Sequence, residues 1–506
     1  MEVGKNGFHG KHISKIQEEE KISKLATIRR DIRDPLFKGK FIYTMGIYLA
    51  SLAGGWIIGI KGPAFMDLQQ LVGVGTSKGA AFFTAAGVGG VVGSLVGGAL
   101  YDRFNQYLVL FVSMLLYGVT CALIPLCREY WLMVLVFLLH EMSTGAVRSG
   151  SNVEIVNVWG AGASKPYMQG LHFSFSLGAA ISPLSLEPFL STIPSRLDET
   201  VMNTTYPRTS EINTIVSTQP TNPESKIFYG FLIAAVIGCL SSLVFLAKYF
   251  TTKISRGSSH QVNVSEVGIM METKDGDRMK IQDVSTDDEK HDEEVAKNIT
   301  RRPIPKCVIV GAVGLFFALY FFLDEVEDTT PSFMATFVVE QFKQDKKFGT
   351  RVTAAFFASY CAGRGVGMLI IGFITHVQLF SICSVSLILG HVCLFLSGWF
   401  LWEWGLWVGV IVIGLAISVI FPASLTWTEK ELTHLSGKLV GSVYIALYAG
   451  GLGNPQVIGA TMEMYSPLWY NYVLLTEAVC FAFVFVILVI YVKKVIHKYK
   501  LPTETK

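Results

Sequence analysis

The stretch GGALYDRFNQY, residues 97–107, closes one apolar run and opens the next. The run before it covers residues 79–101 and the run after it 107–126. Each is long enough to cross a hydrocarbon core, which takes about 20 apolar residues of helix. An Asp-Arg pair, Asp102 and Arg103, wedged between two such runs belongs at a membrane surface. Gly98 permits close contact with a neighbouring helix. Asp102 is placed to meet the positive N-terminus of another helix or a cation. Arg103 anchors at the headgroups.

Outward from this turn the pattern repeats. Further runs lie near 41–60, 131–156, 167–190, 227–250, 305–326, 349–373, 377–399, 404–425, 438–461 and 467–493, which makes twelve in all. A shorter apolar run at 329–340 reads as a continuation of the seventh. The polar stretch 251–303 contains TKDGDRMK and DVSTDDEKHDEEVAKN, shows no apolar periodicity and is expected to be disordered. It divides the set into six-helix bundles at 41–250 and 304–493, flanked by polar segments 1–40 and 494–506. The expected fold class is an all-α membrane protein.

The bulk numbers agree. Of 506 residues, 51% are hydrophobic and only 16% charged, with mean hydropathy +0.45. Soluble domains carry about 25% charged residues. A net charge of +3 gives no basic surface for nucleic acid. The eight cysteines are scattered and mostly intramembrane, without a CxxC or Cys/His cluster, so neither a disulfide framework nor a metal site is expected. There is no nucleophile–base constellation, no Walker motif and no cofactor motif, which argues against an enzyme or an ATP-driven pump.

Residues 1–40 are hydrophilic, so no cleavable leader is expected and the first apolar run directs insertion. Basic residues crowd LFKGK, NITRRPIPK and YVKKVIHKYK, all on one side of an even-numbered bundle. By the positive-inside rule both termini and the middle loop are cytoplasmic. Of three glycosylation sequons only Asn203 then faces outward.

Ionisable residues inside a membrane are functional candidates. Glu141 and Arg148 share a face of the fourth helix, with Asn152 one turn on. His172 sits among aromatic residues in LHFSF, and Arg364 interrupts the eighth run. GGLGNPQV breaks the eleventh helix and offers Asn454 and Gln456 as hydroxyl partners. The seventh run, ALYFFLDEVEDTTPSFMATFVV, carries Asp324, Glu325, Glu327 and Asp328. Counted from the start of the run, these acids fall in the outer part of the membrane, before an interruption expected at Thr329-Thr330-Pro331. Asp324 and Glu325 are expected to face the central cavity as a cation site or gate, and Glu327 and Asp328 an outer vestibule. Trp56, His172, Phe173, Phe175, Tyr320, Asn454 and Gln456 would furnish a cavity for a neutral polyol.

Gly98, Leu100, Asp102 and Arg103 match G-x-L-x-D-R, so the chain resembles the major facilitator superfamily, although Asn105, Gln106 and Tyr107 stand where that family usually has Gly and a basic pair. IKGPAFMDLQ, TSKGAAFFTAAGVGGVVGSLVGGALYDR, TGAVRSGSNVEIVNVWG, LHFSFSLGAAISP, IFPASLTWTEKEL and GNPQVIGA narrow the resemblance to its sodium-dependent glucose transporter 1, or MFSD4-like, group. The resemblance covers most of the membrane domain. It implies a bundle of twelve helices in two halves. The chain is expected to function as a monomer and, with no retention signal evident in LPTETK, at the plasma membrane. The implied activity is alternating-access transport of a hexose such as glucose, with sodium as the candidate co-transported ion. The other readings are a carrier of a small carboxylate, clamped by Arg148 or Arg364, and a solute sensor that moves nothing.

Overall fold

A computed structural model of the chain describes residues 34–160, 163–191, 226–267, 305–370, 373–431 and 437–500. These residues are almost entirely helical, as lipid demands: each backbone N–H and C=O must be satisfied within the segment. The N-terminal half holds α1 (Pro35–Val72), α2 (Ala81–Arg103), α3 (Gln106–Leu123), α4 (Tyr130–Trp159), α5 (Ser164–Leu186) and α6 (Ile227–Val267). The C-terminal half holds α7 (Lys306–Phe342), α8 (Lys346–Ile370) and α9 (His376–Phe400). It continues with α10 in two pieces (Glu403–Ser418 and Ile420–Glu431), α11 in two pieces (Gly437–Gly450 and Asn454–Met464) and α12 (Trp469–Tyr491). The twelve expected runs thus correspond to twelve rods. Asn203, most of 1–40 and of 251–303, and residues 501–506 of the tail lie outside the described residues.

Local chemistry sets the ends. Asp34 caps α1, accepting from the Leu36 amide, and Pro35 follows at the first position, where no N–H is needed. Asn105 caps α3 through the Tyr107 and Leu108 amides, which is why the signature turn stops where it does. Thr375 and Gln378 form a capping box on α9.

Among the described residues, nine of these helices are long and apolar enough to cross a membrane by composition alone. The three that fall short are α5, α8 and α11. All three contribute to the seam where the halves meet, and α11 is also broken. Within the first half, α2 packs on α4 and α1 on α5; between the halves α1 meets α7, α5 meets α8 and α2 meets α11.

Three expectations need correction. Gly98 is not the glycine that brings helices together, since a methyl group there would meet nothing within 4 Å. Gly89, Gly93 and Gly97 do that work, facing backbone atoms of α4. Second, α7 runs unbroken through Pro331. Gly62 lets α1 approach the backbone at Pro331 and Ser332, and the Ser332 hydroxyl donates to the Asp328 carbonyl at 2.7 Å. Third, α6 continues to Val267, into the stretch expected to be disordered. Residues 251–267 contain no proline, and extending an existing helix needs no new nucleus.

Candidate functional site

Between the halves lies a cavity of about 110 Å³. At roughly 10–15 Å³ per water centre it has room for about ten waters, or one small polar solute. Its walls come from both halves. The first contributes Ser51, Tyr117, Arg148, Asn152, His172 and Phe175; the second Asp324, Glu327, Asp328, Tyr360, Arg364 and Phe421.

Helical geometry explains the acidic wall. Asp324, Glu327 and Asp328 stand at i, i+3 and i+4, so they share one face of α7. Glu325, one residue on from Asp324, is rotated away and packs against Gly450 of α11. The cavity therefore takes Asp324 as expected and does not take Glu325. It also takes Glu327 and Asp328, in place of the vestibule expected for them. Their depth differs as well. A helix of 37 residues is about 55 Å long, far more than one span, so Asp324 falls near its midpoint. Counting from the start of the apolar run pushes the acids too far outward.

The basic groups of the cavity are held by aromatic faces. Arg148 lies 5.2 Å from the centre of the Phe175 ring and 5.7 Å from that of Tyr448. Arg364 lies 4.4 Å from the Tyr360 ring and 6.0 Å from the same Phe175. Phe175 is thus shared by two guanidinium groups, one from each half. Arg364 is also hydrogen-bonded on several sides. It donates to the His172 carbonyl at 2.6 Å, to the Ser418 carbonyl at 3.4 Å and to the Tyr360 hydroxyl, and it lies 3.8 Å from Glu327. Tyr360 in turn donates to Glu327. The Asn152 amide donates to the Arg148 carbonyl at 2.8 Å, and the His172 ring meets Phe421 edge-on.

Of the residues expected from the sequence, the structure brings Arg148, Asn152, His172, Arg364 and Asp324 to this cavity, from four helices. Glu141, Asn454 and Gln456, expected there as well, are outside its lining. Glu141 is buried behind the wall in an ion pair with Lys61 of α1. Asn454 donates to Thr329 at 3.1 Å, and Gln456 reaches Thr84 of α2 at 3.4 Å, tying the halves together. Asp102 and Arg103 are exposed, away from the cavity. Trp56, Phe173 and Tyr320 are outside the lining. Sequence reading misses Lys61 and Tyr360, yet both carry a signal. Lys61 is a charge inside an apolar run, and Tyr360 stands four residues before Arg364 on its face. Lys61 lies within electrostatic reach of Asp328, so charge runs from α4 through α1 to α7.

At the end of the bundle opposite the termini the halves are joined. Lys346 of α8 pairs with buried Asp67 of α1 and donates to Ser191 at 2.7 Å. The Ser191 amide and hydroxyl both donate to Asp67 at 2.9 Å. Below this network Phe65, Phe83 and Phe333 pack ring on ring across the seam.

Comparison with known proteins follows this geometry. A family model described as Major Facilitator Superfamily matches residues 47–455. The chain is 25% identical over 428 residues to sodium-dependent glucose transporter 1A of Mus musculus, covering 83% of this chain and 90% of that protein. It is 26% identical over 460 residues to major facilitator superfamily domain-containing protein 4B of Danio rerio, covering 84% and 82%. Among solved structures it is similar to the xylose transporter XylE from E. coli in a partially occluded inward open conformation. There the TM-score is 0.57 at 13% identity, covering 88% of this chain and 98% of that one. A point mutant of the nucleoside transporter NupG gives a TM-score of 0.55 at 15% identity, covering 89% and 99%.

Proposed function

The chain belongs to the Major Facilitator Superfamily and is a transporter rather than an enzyme, and from that premise we propose that it carries a hexose such as glucose, with sodium as the coupling ion. The observation that supports a neutral polyhydroxy solute is the charge arrangement of the cavity. Its two arginines face three acids, and Arg364 is already engaged by Glu327, Tyr360 and two carbonyls. A carboxylate would have to displace those partners. A sugar needs only hydroxyl partners and a ring face, which Asn152, His172, Asp324, Asp328 and Phe175 offer. The names of the relatives, a glucose transporter and a xylose transporter among them, point the same way.

Transport then proceeds by rocking of the halves about the cavity, each half keeping its own wall. The protein works as a monomer in the plasma membrane, with both termini cytoplasmic and Asn203 glycosylated on the outer side. The test is uptake of radiolabelled D-glucose into proteoliposomes holding the purified chain, with and without an inward sodium gradient. Saturable uptake competed by hexoses and not by small carboxylates is expected. Absence of uptake with sugar binding intact would favour a sensor, and competition by carboxylates the other carrier class.

A further inference from the structure

The face of α7 that turns away from the cavity carries a second polar cluster. Glu325 is buried there and packs against Gly450, where a methyl group would meet its side chain at 2.7 Å. Gly450 is the last residue before the break at 451–453 that splits α11. Glu477 of α12 lies within electrostatic reach of Glu325 and close to Asn454, the first residue after the break. Asn454 also donates to Thr329 of α7. Three helices thus converge on oxygen-bearing groups at an unwound segment, the kind of place where transporters hold small cations.

The second observation is an unmet oxygen. Glu477 is only 6% exposed, and its Oε2 is buried without a hydrogen-bond partner. Among the described residues neither carboxylate forms an ion pair. An ionised carboxylate buried in an apolar bundle is costly without a counter-charge, and two neighbours more so. Glu477 also lies within electrostatic reach of Tyr470, whose hydroxyl is committed to the Thr330 carbonyl at 2.7 Å.

We propose that Glu325, Glu477 and Asn454 form a site for a monovalent cation, a sodium ion or a proton, in the C-terminal bundle and separate from the solute cavity. Where the chain is a coupled carrier, as proposed above, this site couples it. The ligand set is hard oxygen, and Glu325 and the cavity residue Asp324 are sequence neighbours on one helix. Occupancy on one face of α7 therefore bears on the wall presented to the solute by the other.

The test uses the purified full-length chain in detergent. Its thermal unfolding is followed while sodium chloride replaces choline chloride at fixed pH, and separately while pH is varied at fixed sodium. In the wild type, stabilisation by sodium identifies the ion as sodium, and stabilisation on acidification alone identifies a proton. Glu477→Gln and Glu325→Gln lose that shift, whereas Asp324→Asn keeps it. Asn454→Ala, which leaves both acids in place, weakens the response and serves if a Glu variant fails to fold. No response in the wild type, or an unchanged response in the variants, overturns the site. In proteoliposomes Glu477→Gln keeps hexose exchange but loses gradient-driven accumulation. If the wild type moves no hexose while its cation response persists and Glu477→Gln loses it, the solute assignment fails and the cation site stands.

Discussion

At the scale of single residues, Arg364 is the most constrained group in the cavity. It is 7% exposed and shares its donors among Glu327, Tyr360 and two carbonyls. Lysine offers three donors from a point charge and cannot reproduce that fork. Arg364→Lys is therefore expected to cut the proposed hexose uptake at least 10-fold while leaving the protein folded. Tyr360→Phe removes a hydroxyl that links the arginine to the acid, a bond worth about 1 kcal/mol, so a milder, roughly fivefold loss is expected. Initial uptake rates in proteoliposomes, with circular dichroism as the folding control, rank the two; equal losses would contradict this ordering. These residues also show what is legible in the sequence. Arg148, Arg364, His172 and Asn152 announce themselves as polar groups in apolar runs, and they do meet. Glu327 and Asp328 are misplaced when their depth is counted from one end of an overlong helix. Their i+3 and i+4 spacing from Asp324 is the better guide. Glu141 resembles a cavity group only as long as its partner Lys61 is passed over.

At the scale of elements, the short-range signals for helix ends and breaks are dependable where they act locally and misleading where a neighbour intervenes. GGLGNPQV breaks α11 as its glycines and proline require. Thr329-Thr330-Pro331 does not break α7, which runs on through the proline where Gly62 of α1 packs against its backbone. No reading of α7 alone contains that information. Glycine in α2 makes the same point and can be tested. A methyl group at Gly93 would collide with the Met142 backbone of α4, whereas one at Gly98 meets open space. Gly93→Ala is expected to lower the Tm in detergent by several degrees and to reduce yield, since overpacking costs about 1–3 kcal/mol. Gly98→Ala should leave the Tm unchanged, although Gly98 belongs to the signature turn. A destabilised Gly98→Ala protein would mean that α2 makes a contact there in another conformation.

At the scale of the whole molecule, the two halves are held together by ties of unequal value at the end opposite the termini. Asp67 and Lys346 are both buried, at 0% and 4% exposure, and Ser191 reinforces them. Removing one charge of a buried pair leaves the other uncompensated, at a cost of about 3–5 kcal/mol. Arg351 and Glu187 also bridge α8 to the end of α5, but Arg351 is 57% exposed, and such surface pairs contribute less than about 1 kcal/mol. In the proposed orientation, with the termini cytoplasmic, these ties close the outer side, and Asp67 and Lys346 then set the balance between inward- and outward-facing states. Asp67→Asn should therefore shift the population outward by at least a factor of ten, given about 1.4 kcal/mol per decade. Ser51, which lines the cavity, provides the reporter. In a cysteine-free background carrying Ser51→Cys, a membrane-impermeant maleimide added from outside should label the Asp67→Asn protein at least tenfold faster than its parent. Arg351→Ala should label at the parental rate. The contrast between the two variants is what gives the experiment its force, because general loosening of the outer loops would accelerate both, whereas a buried lock accelerates only the first.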